Sequence, residues 1–206
     1  MPGICCATAK FLQTGNTNAE SGRLRGYAGR VAKLVADPAI EKDEDAVATL
    51  DFFSGAIHAL FLARHHGFKN RKDRSPSTPA VRKIARDLSG GKLRIEGAWL
   101  AGFHFNSGLA RLAGVYERSM KLASGLRDKN LKKWKVEEGA CRIHGRWTGS
   151  AWEHANIEAV YVEVNKLKHA TGGVQAGRDV SSTDALEAIG ELLALLEAWR
   201  DAGCPK

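Results

Sequence analysis

Three places in this chain hold residues whose types and spacing could do chemistry. The first is Asn165-Lys166-Leu167-Lys168-His169, where Asn165 and His169 stand four residues apart and share one face of a helix. Glu158 and Val162 continue that face toward the N-terminus. Lys166, Lys168 and His169 also fall in the last turns, where a cation gains about 0.3–1 kcal/mol from the negative end of the helix dipole, so end-capping competes with chemistry for these residues. The second place is a long apolar stretch interrupted by His104, Asn106, Ser107, Arg111, Glu117 and Arg118. His104, Ser107, Arg111 and Arg118 share a face opposite Trp99, Phe103 and Ala110; such a face can contact phosphate, or it is solvated or paired with acids of a neighbouring helix. The third is Cys141-x-x-His144 with His154, which offers three metal ligands, with Cys204 as a distant fourth. A second close pair of ligands is missing, so no metal and no cofactor are expected.

Other catalytic signatures are absent. There is no phosphate-binding Gly-x-x-x-x-Gly-Lys-Ser/Thr loop, no Gly-x-Ser-x-Gly elbow and no dinucleotide fingerprint after a strand. The glycine-rich run Gly172 to Arg178 follows a helix, and with Ser181, Ser182 and Thr183 it reads as a connector with an ordinary cap rather than a phosphate site. Whether the chain is an enzyme stays open. His65 and His66 close a helix in this reading.

Charge is the stronger clue. Residues 67 to 94 carry nine Lys/Arg against two acids, and residues 118 to 146 carry nine against three, so these stretches supply +7 and +6 of a net charge of +8. Clustered cations gain from releasing the counterions condensed on a polyanion. In the first stretch Lys69, Arg71, Lys72 and Arg74 lie in a loop, and Arg82, Lys83 and Arg86 share a short helix. In the second, Trp134 and Trp147 sit among Lys132, Lys133, Lys135, Arg142 and Arg146, an arrangement in which aromatics stack on unpaired bases or, alternatively, anchor a core beneath a solvated rim.

The elements that must position these residues are helices. Leu24, Tyr27, Val31, Leu34 and Val35 recur at helical spacing before Asp37-Pro38, and Leu50, Phe53, Ile57, Leu60 and Phe61 do so from Ala46 to His66. The longest periodic stretch runs from Lys92 to Ala123, with Trp99, Phe103, Ala110, Ala113, Tyr116 and Met120 as its apolar stripe. Ser124 to Gly149 is the least regular part, a short helix followed by an irregular or hairpin-like segment broken by Gly139, Gly145 and Gly149. Ser150-Ala-Trp-Glu153 spells a capping box for a helix to about Thr171, with Ile157, Val160, Tyr161, Val164 and Leu167 inside. Thr183 or Asp184 caps the last helix, whose stripe is Leu186, Ile189, Leu192, Leu193, Leu196 and Trp199. The expected fold is an all-α, up-and-down bundle of about five long helices plus short connecting helices, with residues 1–18 a flexible tail and 19–206 one domain. The leucine-rich last helix packs inside the chain or, alternatively, against a second copy as a homodimer. The two basic stretches flank the longest helix, roughly 45 Å apart at 1.5 Å per residue.

No apolar run approaches the roughly 20 residues of a membrane span, and the start lacks the pattern of a secretory signal. Cys5, Cys6, Cys141 and Cys204 make neither a disulfide framework nor a Cys-x-x-Cys pair, and a cytoplasmic location with reduced thiols and no membrane partner is expected.

The helix ending in Asn165-Lys-Leu-Lys-His169 resembles the corresponding helix of HEPN-type domains, small all-α bundles in which a polar residue and a histidine near a helix end form an RNA-cleaving site. In active members the motif is an arginine, four to six residues, then a histidine. No histidine here has an arginine at that spacing, and Asn165 stands nearest the arginine's place. The resemblance implies a dimer with paired His169 side chains in a cleft, and a degenerate or altered nuclease of a stress or defence system. The expectation is a protein that engages RNA or another polyanion, with an interaction module for an acidic protein partner as the alternative.

Overall fold

The structure is a computed structural model; it describes residues 19–65, 97–127, 131–169 and 180–205, with backbone alone at 97–101 and 167–169. The described residues form an all-α helical bundle without strands. In chain order the helices are α1 (Ala19–Val35), α2 (Pro38–Glu41), α3 (Glu44–His65), α4 (Gly97–Ser124), α5 (Lys133–Thr148), α6 (Ala155–His169) and α7 (Ser182–Asp201). Six are long rather than five, the addition being α5.

Local sequence explains most of these limits. Asp37 does not simply break the chain: its carboxylate accepts the Ala39 amide and opens α2, with Pro38 in the first turn where its missing N–H costs nothing. Asp43 Oδ1 accepts the Ala46 amide at the head of α3, beside Glu44 and Asp45. At α7 the cap is Ser181, two or three residues before the expected Thr183 or Asp184, and Ser181 and Asp184 satisfy each other's amides as a full capping box.

The stripes of α3 and α7 are buried as expected. Phe53, Ile57, Leu192 and Leu193 show no exposed surface, and each such side chain contributes about 1.5–3 kcal/mol on leaving water. Every residue of the expected α7 stripe is buried within this one chain, which leaves that stripe no surface for a dimer seam. The α3 sequence is long and apolar enough to cross a membrane by length and composition, contrary to the expectation that no such stretch exists, but 61% of its apolar 18-residue window is buried in the bundle.

The helix α4 lies at the centre and packs against α3, α5, α6 and α7. Its buried face is Phe105, Leu109, Leu112, Tyr116 and Met120. The expected stripe through Phe103 and Ala110 is corrected: Phe103 is 53% exposed and Ala110 faces solvent. A helix with neighbours on several sides is apolar over a wide arc, so periodicity alone misplaces its centre. Gly108 lets α4 approach α3 closely, since a Cβ there would stand 2.7 Å from Leu60 Cγ. On the outside, Arg23 pairs with Glu187 and Arg30 holds Glu197 with two hydrogen bonds, joining α1 to α7.

The segment expected to be irregular folds as α5. Gly139 does not break it but allows it to lie against the end of α4, where a Cβ would sit 3.1 Å from Ser124 Cβ. Gly149, at φ 73°, ends it in the left-handed conformation that costs glycine least. The capping box predicted at Ser150 and Glu153 does not form. The Ser150 carbonyl instead accepts from Thr148 Oγ1 and His144 Nδ1, both at 3.2 Å, and no helix begins before Ala155. The α6 start is capped from outside: the Glu191 carboxylate of α7 accepts the amides of Asn156 and Ile157 and the Asn156 side chain.

Candidate functional site

The helix α5 carries chemistry on two faces. On the outer face, Lys132, Lys135, Arg142 and Arg146 are exposed, and residues 135, 138, 142 and 146 recur at helical spacing over about 16 Å. Trp134 stands 57% exposed at its head, with Lys135 Nζ 5.6 Å from its ring. Glu138 is the one acid on this ridge, and no described carboxylate pairs with Lys132, Arg142 or Arg146. Five of the expected contact residues of the second basic stretch thus share one surface. Two residues of that stretch do not join it: Trp147 is partly buried against the core, and Lys133 turns inward. The first basic stretch, Lys69, Arg71, Lys72, Arg74, Arg82, Lys83 and Arg86, lies outside the described residues, as does the expected short helix that carries part of it.

On the inner face, Lys133 and Glu137 of α5 meet His154 and Glu158 at the start of α6, under Tyr116 of α4 and Tyr161 of α6. Lys133 Nζ lies 2.9 Å from Glu137 Oε2 and 3.6 Å from Glu158 Oε1, and over the rings of Tyr116 and Tyr161 at 5.1 and 4.7 Å. His154 Nε2 is 3.1 Å from Glu137 Oε1, while its Nδ1 is 2.9 Å from the Trp152 carbonyl. A carbonyl only accepts, so Nδ1 donates to it, and this bond aims Nε2 at the Glu137 carboxylate. Trp152 also stacks on the imidazole, centroids 4.8 Å apart, and fixes its plane.

Burial alone would raise the Glu137 carboxyl, but the Lys133 ammonium, with Tyr116 and His154 beside it, holds it below the usual carboxylate range. Burial, reinforced by the Glu137 charge, pushes the Tyr116 phenol far above its usual value, and the hydroxyl faces Glu137 without a hydrogen bond of regular geometry. Cys141 Sγ lies 4.0 Å from His154 Nδ1, but burial and the Glu137 charge push its thiol up, so it is no ready thiolate nucleophile. The three residues that converge as metal ligands are Glu137, His154 and Glu158. Of the expected trio, His144 instead turns its Nδ1 to the Ser150 carbonyl.

Sequence reasoning missed this cluster. Its signal was two i, i+4 pairs, Lys133 with Glu137 and His154 with Glu158, but nothing local states that the two helices face each other.

The other catalytic candidates occupy separate surroundings. Arg111 stacks 5.2 Å over Phe52 of α3 and lies against Gly55, where a Cβ would stand 2.5 Å from Nη1. Burial, with the Arg111 charge, holds His58 below its ordinary value. Arg118 covers the same Phe52 ring at 5.5 Å. His104 is half-buried, edge-on to Phe103 at 5.5 Å. Asn165 lies beside the Tyr161 hydroxyl. The α6 backbone reaches His169, whose side chain lies outside the described residues. Comparison with family models, with curated proteins and with solved structures returns no match.

Proposed function

We propose that the outer face of α5 binds single-stranded RNA. The observation that carries this reading is Trp134, 57% exposed with Lys135 over its ring, at the head of a row of cations without acid partners. A large aromatic left in water costs apolar exposure, and a base stacked on it recovers about 1–3 kcal/mol. The row continues with Arg142 and Arg146, which suit phosphates following that base. The likeness of Asn165–His169 to the HEPN helix end supports the same class of ligand.

Fluorescence anisotropy with a labelled single-stranded RNA tests it. Trp134→Ala is expected to weaken binding by about 5- to 150-fold, the equivalent of one stacked base. Arg142→Glu with Arg146→Glu is expected to weaken it further and flatten its salt dependence. Unchanged affinity in both variants overturns the reading. Equal binding of polyglutamate and RNA, with Trp134→Ala indifferent, would assign the ridge to an acidic protein partner instead.

A further inference from the structure

The inner face of α5 carries a second inference, independent of the first. Glu137 and Glu158 place two carboxylates around one ammonium, Lys133, and His154 turns Nε2 toward the same point. His154 Nε2 and Glu137 Oε1 lie 3.1 Å apart, a separation that either a proton on Nε2 or a metal ion held by both atoms bridges. A proton on Nε2 would satisfy those two atoms alone. One donor atom from each of Glu137, His154 and Glu158 lies within 4.8 Å of the others, so the convergence involves three residues rather than two.

We propose that Glu137, His154 and Glu158 bind a first-row divalent cation of the zinc type, which enters by displacing the Lys133 ammonium. One imidazole and two carboxylates form a mixed nitrogen and oxygen set that suits such a cation better than calcium or magnesium. Ligand atoms on a tetrahedral zinc with bonds of about 2.0–2.1 Å lie about 3.3 Å apart, close to the His154–Glu137 separation. The Nδ1–H bond to the Trp152 carbonyl is the outer support that metal-binding histidines use to aim Nε2.

A second observation points into the same place. Tyr116 is fully buried and its hydroxyl, facing Glu137, makes no hydrogen bond. An unpaired buried hydroxyl has given up its hydration for nothing in return, so a partner there is favoured. It is placed to donate to the Glu137 carboxylate or to a water on the metal once Lys133 has moved. Glu158 is 47% exposed and Lys133 27%, so the approach is from solvent, over the α6 side.

The test is a titration of the full chain, with Cys5→Ser and Cys6→Ser to remove the vicinal thiols, using Zn2+ by calorimetry and Co2+ by visible absorption. One equivalent is expected, with cobalt bands that lack thiolate charge transfer. Glu158→Gln, at a half-exposed position, is expected to weaken binding at least 10-fold; Glu137→Gln and His154→Gln are expected to abolish it. Lys133→Met removes the competing cation and is expected to tighten binding at least 3-fold, an outcome that a merely structural role for the cluster does not produce. No binding, with the His154 imidazole staying protonated above neutral pH by NMR, overturns the proposal in favour of a proton at Nε2. Binding that persists unchanged in Glu158→Gln and His154→Gln overturns it too.

Discussion

Asp43 does two things with one carboxylate. It accepts the Ala46 amide at the head of α3 and receives two hydrogen bonds from Arg127, at 2.7 and 3.2 Å, while Arg127 also reaches Asp45. The ion pair fastens the segment after α4 to the start of α3, and the Asp43 side chain is only 7% exposed. The hydrogen bond from Arg127 holds the Asp43 carboxyl below its usual range, against the opposing effect of burial. Because the folded value is depressed, the stabilisation is fully present above the unfolded value of about 3.9 and is lost as pH falls through the folded one. Arg127→Ala is therefore expected to lower stability by about 1.5–3 kcal/mol at pH 7, the range for hydrogen bonds to charged groups. Urea unfolding at pH 7 and near pH 3 checks this: the gap between the two proteins narrows in acid. An equal gap at both pH values would show that Asp43 is not the group Arg127 stabilises.

At the scale of elements, the start of α6 depends on its neighbour. Two of its free amides are satisfied by Glu191 of α7, and the Trp152 indole donates to the Glu191 carbonyl at 2.9 Å. Glu191→Ala removes the cap and the favourable charge at a helix N-terminus, at an expected cost of about 1–2 kcal/mol. Hydrogen exchange reads it directly, as faster exchange at the Asn156 and Ile157 amides with α3 unaffected. The contact of α3 with α4 makes a different prediction. Gly108→Ala puts a methyl 2.7 Å from Leu60 Cγ, and overpacking of that kind costs about 1–3 kcal/mol. Leu60→Ala in the same chain is expected to return part of that loss; a double variant as unstable as the sum of the two single ones would contradict the contact.

At the scale of the whole molecule, one core joins Leu24 of α1, Ile40 of α2, Phe53 of α3, Leu109 of α4, Val136 of α5, Ile157 of α6 and Leu192 of α7. Elements that share one core lose it together, so thermal unfolding followed by far-UV circular dichroism and by tryptophan fluorescence is expected to coincide. Trp152 and Trp199, both buried, report on the α7 side of that core. Two separated transitions would mean that the helices do not form one cooperative unit. The charge of the molecule has a comparable division of labour within α5, whose outer cations stand in solvent while Lys133 is spent on the inner carboxylates.

The class of the fold and the burial of α1, α3, α6 and α7 were legible because a repeat near 3.6 residues is written locally: Leu24, Val31 and Leu34, or Leu186, Ile189 and Leu193, state their own shared face. The exposed face of α5 was half legible, since Lys135, Arg142 and Arg146 are visible as cations but Gly139 and Gly145 disguised the helix that aligns them. What the sequence alone did not decide is everything set by which helices become neighbours. Gly139 reads as a breaker until Ser124 is seen against it, and Ser150 reads as a cap until Glu191 is seen to do that work. Glu137, His154 and Glu158 are unrelated letters 17 and 4 residues apart, and Tyr116 is more distant still. Their meeting is a product of packing, in which the directions of α4, α5 and α6 are chosen by the burial of Tyr116, Val136 and Ile157, and the polar side chains beside them go where that burial carries them.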